Sequence, residues 1–121
     1  MASLNRQQII GRLGGLPNMR FTPSGKPVTD FSVAVDSYRG SGDDRKKITE
    51  WFKVVCWDRQ AESCNQYLLK GSLVYAEGEV HLEKWEKDDG KEHSRLKLDA
   101  SRVVFLDKKG TASEDELPNE G

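Results

Sequence analysis

The chain has 121 residues, with 19 Lys or Arg against 20 Asp or Glu, a formal net charge of −1 and a pI near 6.1. That length suits one domain; no apolar run approaches the roughly 18 residues of a membrane span, and the stretch Met1 to Gln8 lacks the apolar core of a signal peptide. A charge of −1 speaks at face value against a nucleic-acid binder, but it averages two unlike parts: residues 1–106 carry 17 basic and 15 acidic side chains, a net of +2, and residues 107–121 a net of −3.

Leu4 to Leu13 reads as a strand that stops at the turn signal Gly14-Gly15. Gly15 to Pro27 holds Pro17, Pro23 and Gly25 and reads as a long loop with room for one short extended piece at Met19–Thr22. Val28 to Val35 alternates, with Phe31, Val33 and Val35 on one face and Asp30, Ser32 and Ala34 on the other. Tyr38 to Lys47 is a polar loop that ends in Arg45-Lys46-Lys47, and Ile48 to Trp57 is the third strand. Ala61 to Lys70 is the one helical candidate, with Ala61, Cys64, Tyr67 and Leu68 spaced for one face and Gly71 as its stop. Ser72 to Trp85 is a long strand that Gly78 should interrupt with a bulge or bend. Asp88-Asp89-Gly90 supplies a hairpin turn, and Glu92 to Leu106 is the last strand. The expected class is all-β with one helix: a five-stranded OB-fold barrel over residues 1–107, with the helix between strands 3 and 4. Residues 108–121 are polar and acidic and contain Pro118, which predicts a short disordered acidic tail.

The two cysteines, Cys56 and Cys64, form no C-x-x-C and have no partners at zinc spacing, so two reduced, buried thiols in a cytoplasmic protein are expected, with no metal and no cofactor. His81 and His93 have no nucleophile pattern beside them.

Alternation in Ile48–Trp57 separates two chemistries. Phe52, Val54 and Cys56 share one face, and Trp51, Lys53, Val55 and Trp57 share the other. A solvent face with two indoles and an ammonium suits a polyanion with stackable bases: base-on-aromatic stacking is worth roughly 1–3 kcal/mol per base and tolerates any sequence, while the lysine adds phosphate attraction that falls with salt. Trp85, just before the hairpin turn, and Tyr38, beside Arg39, are further candidate rings. The face of Trp85 also carries Glu79, His81 and Glu83, whose acids would repel phosphate, although Lys84 and Lys87 flank it. Lys46 and Lys47 are candidates for backbone contact; each could equally be part of a solvated loop.

These blocks resemble the bacterial single-stranded DNA-binding protein family. The likeness is carried by Asn5–Gly14 (N-R-Q-Q-I-I-G-R-L-G), Pro17–Gly25 (P-N-M-R-F-T-P-S-G), Val28–Val35, Thr49–Trp57 (T-E-W-F-K-V-V-C-W), Ala61-Glu62, Tyr67–Gly71, Val74–Gly78 (V-Y-A-E-G), Lys84-Trp85 and the closing Ala100–Leu106, in order and at family spacing over residues 4–106. The resemblance implies a non-enzymatic OB-fold protein, usually a homotetramer, that wraps single-stranded DNA in replication, recombination and repair. It implies stacking by Trp51, Trp57, Trp85 and Tyr38, basic contacts from Arg20, Lys53, Arg59, Lys70 and Lys84, and subunit pairing through Leu4–Leu13. The chain departs from the pattern at Glu83, where the family is commonly basic, and at His81 and Glu79, where Arg and Gln are frequent. Its tail has Ser113-Glu114-Asp115-Glu116-Leu117-Pro118 but ends Asn119-Glu120-Gly121 in place of a terminal Phe, which puts docking of replication and repair enzymes in doubt.

Two other readings compete. The aromatic face could be a protein interface on an OB module, or the strand-spaced Glu77, Glu79, His81 and Glu83 could serve a zinc or hydrolytic enzyme.

Overall fold

A computed structural model describes residues 2–107, so the predicted tail lies outside the described residues. The strands are β1 (Gln7–Leu13), β2 (Asn18–Phe21), β3 (Pro27–Arg39), β4 (Lys46–Trp57), β5 (Leu73–Glu86) and β6 (Glu92–Phe105), with the helix α1 (Asp58–Tyr67) after β4. They form one sheet in the order β1-β5-β6-β4-β3-β2, and β1 also pairs with β3, which closes a five-stranded barrel. All neighbours are antiparallel except β4 and β6, which run parallel from Phe52↔Leu96 to Val55↔Asp99. The short piece expected at Met19–Thr22 is the real strand β2, laid on the edge of β3. The helix therefore lies between the fourth and fifth strands of the full count, while the barrel order expected from the sequence stands.

Period-2 alternation aims Ile9, Leu13, Phe31, Val33, Phe52, Val54, Cys56, Val74, Ala76, Leu98 and Ala100 inward, where all are buried. The helix closes the barrel with Ala61 and Cys64, joined by Leu68 just past its end. Thr29, fully buried on β3, donates its hydroxyl to the Ala61 carbonyl at 2.7 Å and ties the sheet to the helix without an unpaired polar group. Cys56 and Cys64 are free and buried. The hydrogen bond from Cys56 and then burial push the Cys64 thiol above its ordinary range.

The helix spans Asp58–Tyr67, three residues ahead of the predicted Ala61–Lys70 at each end. At the entry, β4 turns straight into the helix on Asp58, which takes φ 59°, a left-handed conformation that Asp tolerates better than most residues. At the exit, Leu68 N–H donates to the Cys64 carbonyl, and Gly71 (φ 89°) serves the following turn instead of the helix end. Tyr67, expected on the buried face, lies at the flank with its ring 6.5 Å from that of Phe105.

The polar loop predicted over Tyr38–Lys47 is shorter than expected: Tyr38 pairs with Lys47 and Arg39 with Lys46, leaving a six-residue tip, residues 40–45, around the 3-10 turn Gly42–Asp44. This arm has solvent on both sides, so no apolar alternation announces it. On β5 the register against β6 shifts between Glu77 and Gly78, the interruption expected there. A Cβ on Gly78 would sit 2.0 Å from the Asp99 carbonyl oxygen, so the two backbones can cross this closely only at a glycine.

Candidate nucleic-acid interface

Residues directly opposite in a ladder share a face, and the registers place the candidates accordingly. Trp51, Lys53, Val55 and Trp57 on β4 lie opposite Ala34, Ser32, Asp30 and Val28 on β3, and β2 adds Arg20 opposite Val28. Through the parallel pairing, Lys53 and Val55 lie beside Lys97 and Asp99 on β6, which face His81 and Glu79 on β5. The β5–β6 hairpin then sets Glu83 opposite Arg95 and Trp85 opposite His93. All three tryptophans thus emerge on one outer face of the barrel.

Trp51 is 54% exposed and Trp57 42%, although both are large apolar side chains and their strand neighbours Phe52, Val54 and Cys56 are buried. The Trp51 ring packs over Gly14, where a Cβ would stand 2.6 Å from Cζ3. A cleft of about 340 Å³ opens beside it, lined by Gly14, Gly15, Leu16, Asp30, Phe31 and Ser32. Trp85 is half-buried: the Arg95 guanidinium lies over its ring at 4.8 Å, and the His93 ring stacks at 5.9 Å and 23°. Tyr38 and Lys47 continue the Trp51 face along the arm, and the Arg45 guanidinium lies 4.1 Å over the Tyr38 ring.

The charges between the rings are mutually paired. Lys53, with a side chain 20% exposed, has its Nζ 4.0 Å from the Glu83 carboxylate, and Arg95 Nε donates to the same oxygen at 2.7 Å. That Arg95 hydrogen bond, then the Lys53, Arg95 and Lys97 charges, hold the Glu83 carboxyl below the usual carboxylate range against partial burial. Arg20 pairs with Asp30, Lys97 with Asp99 at 3.8 Å, and His81 sits between Glu79 at 3.3 Å and Asp99 at 3.8 Å. Among the described residues no group of three or more His, Cys, Asp or Glu is placed to hold a metal ion, and no helix is long and apolar enough to cross a membrane.

The structure brings Trp51, Trp57, Trp85, Lys53, Arg20, Tyr38 and Lys47 onto one face. Lys84 alternates with Trp85 and points with Leu82 to the other side of the hairpin, and Lys46 likewise opposes Lys47. Arg59 on α1 and Lys70 in its exit turn are exposed but lie off the sheet. Sequence reasoning missed Arg95, Lys97 and His93. The signal was present, since counting back across Asp88-Asp89-Gly90 pairs Trp85 with His93 and Glu83 with Arg95.

Residues 4–106 match the model of the single-strand binding protein family. The chain is 38% identical over 127 residues to the single-stranded DNA-binding protein of Thermotoga maritima, covering 99% of this chain and 90% of that protein. It is 37% identical over 106 residues to the protein of the same description from Treponema pallidum, of which it spans only 60%. Among solved structures it resembles the SSB of Plasmodium falciparum in complex with ssDNA, at a TM-score of 0.73 and 29% identity over 88% of this chain and 98% of that one. A small single-stranded DNA-binding protein from Streptomyces coelicolor has the same fold at a TM-score of 0.73 and 19% identity, over 83% of this chain and 92% of that one.

Proposed function

The chain belongs to the single-strand binding protein family, and from that premise we propose that it binds single-stranded DNA without regard to sequence. Trp51, Trp57 and Trp85 stack on unpaired bases, with Tyr38 extending the track along the arm, while Lys53, Arg20 and Lys47 contact the phosphates. Arg59, Lys70, Lys84 and Lys46 lie to the sides, where a strand that wraps past the barrel can still meet them. Such a protein is a non-enzymatic binder that coats strands exposed during replication, recombination and repair in a bacterial cytoplasm.

The observation that carries this reading is the exposure of Trp51 and Trp57 on one strand face, with Lys53 between them and the alternate residues fully committed to the core. An indole left half in water on a rigid sheet has apolar area to gain from a flat partner. Titration with poly(dT) tests it: intrinsic tryptophan fluorescence should be quenched, and Trp51→Ala should weaken binding by about 1–3 kcal/mol, the magnitude typical of single-strand binders, this family among them. Unchanged fluorescence at low salt would sink the proposal.

The same premise supports assembly into a homotetramer, with a dimer as the smaller alternative. Residues Gln7–Gly11 of β1 pair with β5 on one side, and β3 reaches only Arg12 and Leu13 on the other. Ile10, 55% exposed, adds an apolar group on the outer face of that strand. A free strand edge beside exposed apolar area suits strand pairing between subunits. Light scattering with and without poly(dT) measures the mass and stoichiometry.

A further inference from the structure

Glu83 stands in the middle of the face proposed to receive a polyanion, and it is bound there by cations. Its Oε1 accepts from Arg95 Nε at 2.7 Å and lies 4.0 Å from Lys53 Nζ, while Arg95 extends over the Trp85 ring. Lys53 and Arg95 are the two cations nearest the line between Trp51 and Trp85 in the strand registers, and one carboxylate serves both. A carboxylate and a phosphodiester present the same chemistry to such a pair: one negative charge spread over two oxygens that accept from a guanidinium and an ammonium.

We infer that Glu83 is an internal stand-in for a backbone phosphate, which occupies the Lys53–Arg95 pair in the free protein and is exchanged for a phosphate when single-stranded DNA binds. The inference rests on the ssDNA-binding reading and deepens it. In the free state the carboxylate offsets one of the two positive charges of Lys53 and Arg95 and keeps the guanidinium over Trp85. Binding then requires the strand to displace Glu83 and to draw Arg95 from the indole to the phosphate. Because the released carboxylate regains its own counterion, the phosphate taken up there contributes little net counterion release. Glu83 therefore restrains both the affinity and the salt dependence of the face.

Glu83→Gln keeps size and hydrogen-bonding capacity and removes the charge. It should bind poly(dT) about 3- to 10-fold more tightly at low salt, with a log–log salt slope steeper by about 0.7, the value of one further phosphate on a single strand. Glu79→Gln is the control, since it removes an equal charge from the same face of the same strand but from a carboxylate paired with His81. It should leave the slope unchanged. Thermal unfolding of both variants checks that the barrel is intact. Weaker or unchanged binding by Glu83→Gln overturns the inference, and so does an equal gain from Glu79→Gln, which would reduce the effect to general charge. If the unsubstituted chain fails to bind poly(dT) at any salt, the functional reading falls and takes this inference with it. If the unsubstituted chain binds and the two variants do not differ, only the inference falls.

Discussion

Gly14→Ala is a one-methyl test of how Trp51 is held. A Cβ built on Gly14 meets Trp51 Cζ3 at 2.6 Å and Cη2 at 2.8 Å, whereas unstrained carbon contacts lie at about 3.5–4.0 Å. The indole must therefore retreat by about 1 Å. Gly14 is not among the positive-φ glycines, so alanine fits the backbone, and the loss of glycine freedom in the unfolded chain stabilises by about 0.4–1 kcal/mol. The side chain that moves is about half-exposed and can give way toward solvent, so stability should stay within about 1 kcal/mol of the parent. Binding should suffer more than stability. Displacing the indole forfeits part of a stacking contribution of about 1–3 kcal/mol, and a loss of about 1 kcal/mol weakens Kd roughly fivefold. The assay is a fluorescence titration with poly(dT) in two backgrounds, the parent and Trp51→Ala, beside thermal unfolding. If Gly14 acts through the indole, its substitution costs affinity only where the indole is present. Equal losses in both backgrounds would refute the argument.

Other expectations follow from the same geometry. Gly78→Ala should cost about 3 kcal/mol or more in urea denaturation, because its methyl meets backbone on β6 and not a side chain that can swing away. Glu77 and Glu83 are both held below the ordinary 4.5, Glu77 first by the Tyr75 hydroxyl and Glu83 first by Arg95. Groups depressed in the folded state contribute stability that is full above their unfolded pKa and is lost as pH falls through the lower folded value. The contribution of these two to the urea midpoint should therefore be full and constant between pH 7 and 5 and begin to decline near pH 4.5, and Glu83→Gln should flatten its share of that decline. Cys56 and Cys64 should resist a thiol reagent at pH 8 until the barrel unfolds, since both are buried and Cys64 ionises only above its ordinary range; fast labelling of the folded protein would contradict their placement.

The parts of the fold legible in the sequence were those where one face is dry. Phe31 and Val33, and Phe52, Val54 and Cys56, alternate because the barrel interior demands it, and that demand is written residue by residue. The arm beyond Asp36 was missed because water on both faces leaves no period to read. The helix was misplaced because its entry depends on a backbone conformation at Asp58 that composition does not announce. On the candidate face, Trp51, Lys53 and Trp57 were found from a single strand. Arg95 and Lys97 were not: hairpin counting sets them opposite Glu83 and His81, but their closeness to Lys53 comes from the parallel β4–β6 contact, which joins segments some 40 residues apart in sequence. Glu83 was read as a repulsive charge, and its pairing with two cations became visible only once three strands were side by side.

The mutual pairing of charges on the outer face bears on which nucleic acid the protein should prefer. A duplex offers phosphates but keeps its base faces stacked inside. On the proposed reading, its gain from this surface comes mostly from cations that already have carboxylate partners, such as Lys53, Arg95, Arg20 and Lys97. A single strand meets the same satisfied cations and in addition has bare rings to lay on Trp51 and Trp57. Selectivity is a difference of affinities, and an electrostatically self-satisfied surface widens it by giving the wrong partner little to gain. On that reading the weak net charge of the body and its exposed indoles are two sides of one discrimination, in which weak charge offers the double helix little and aromaticity admits the open strand.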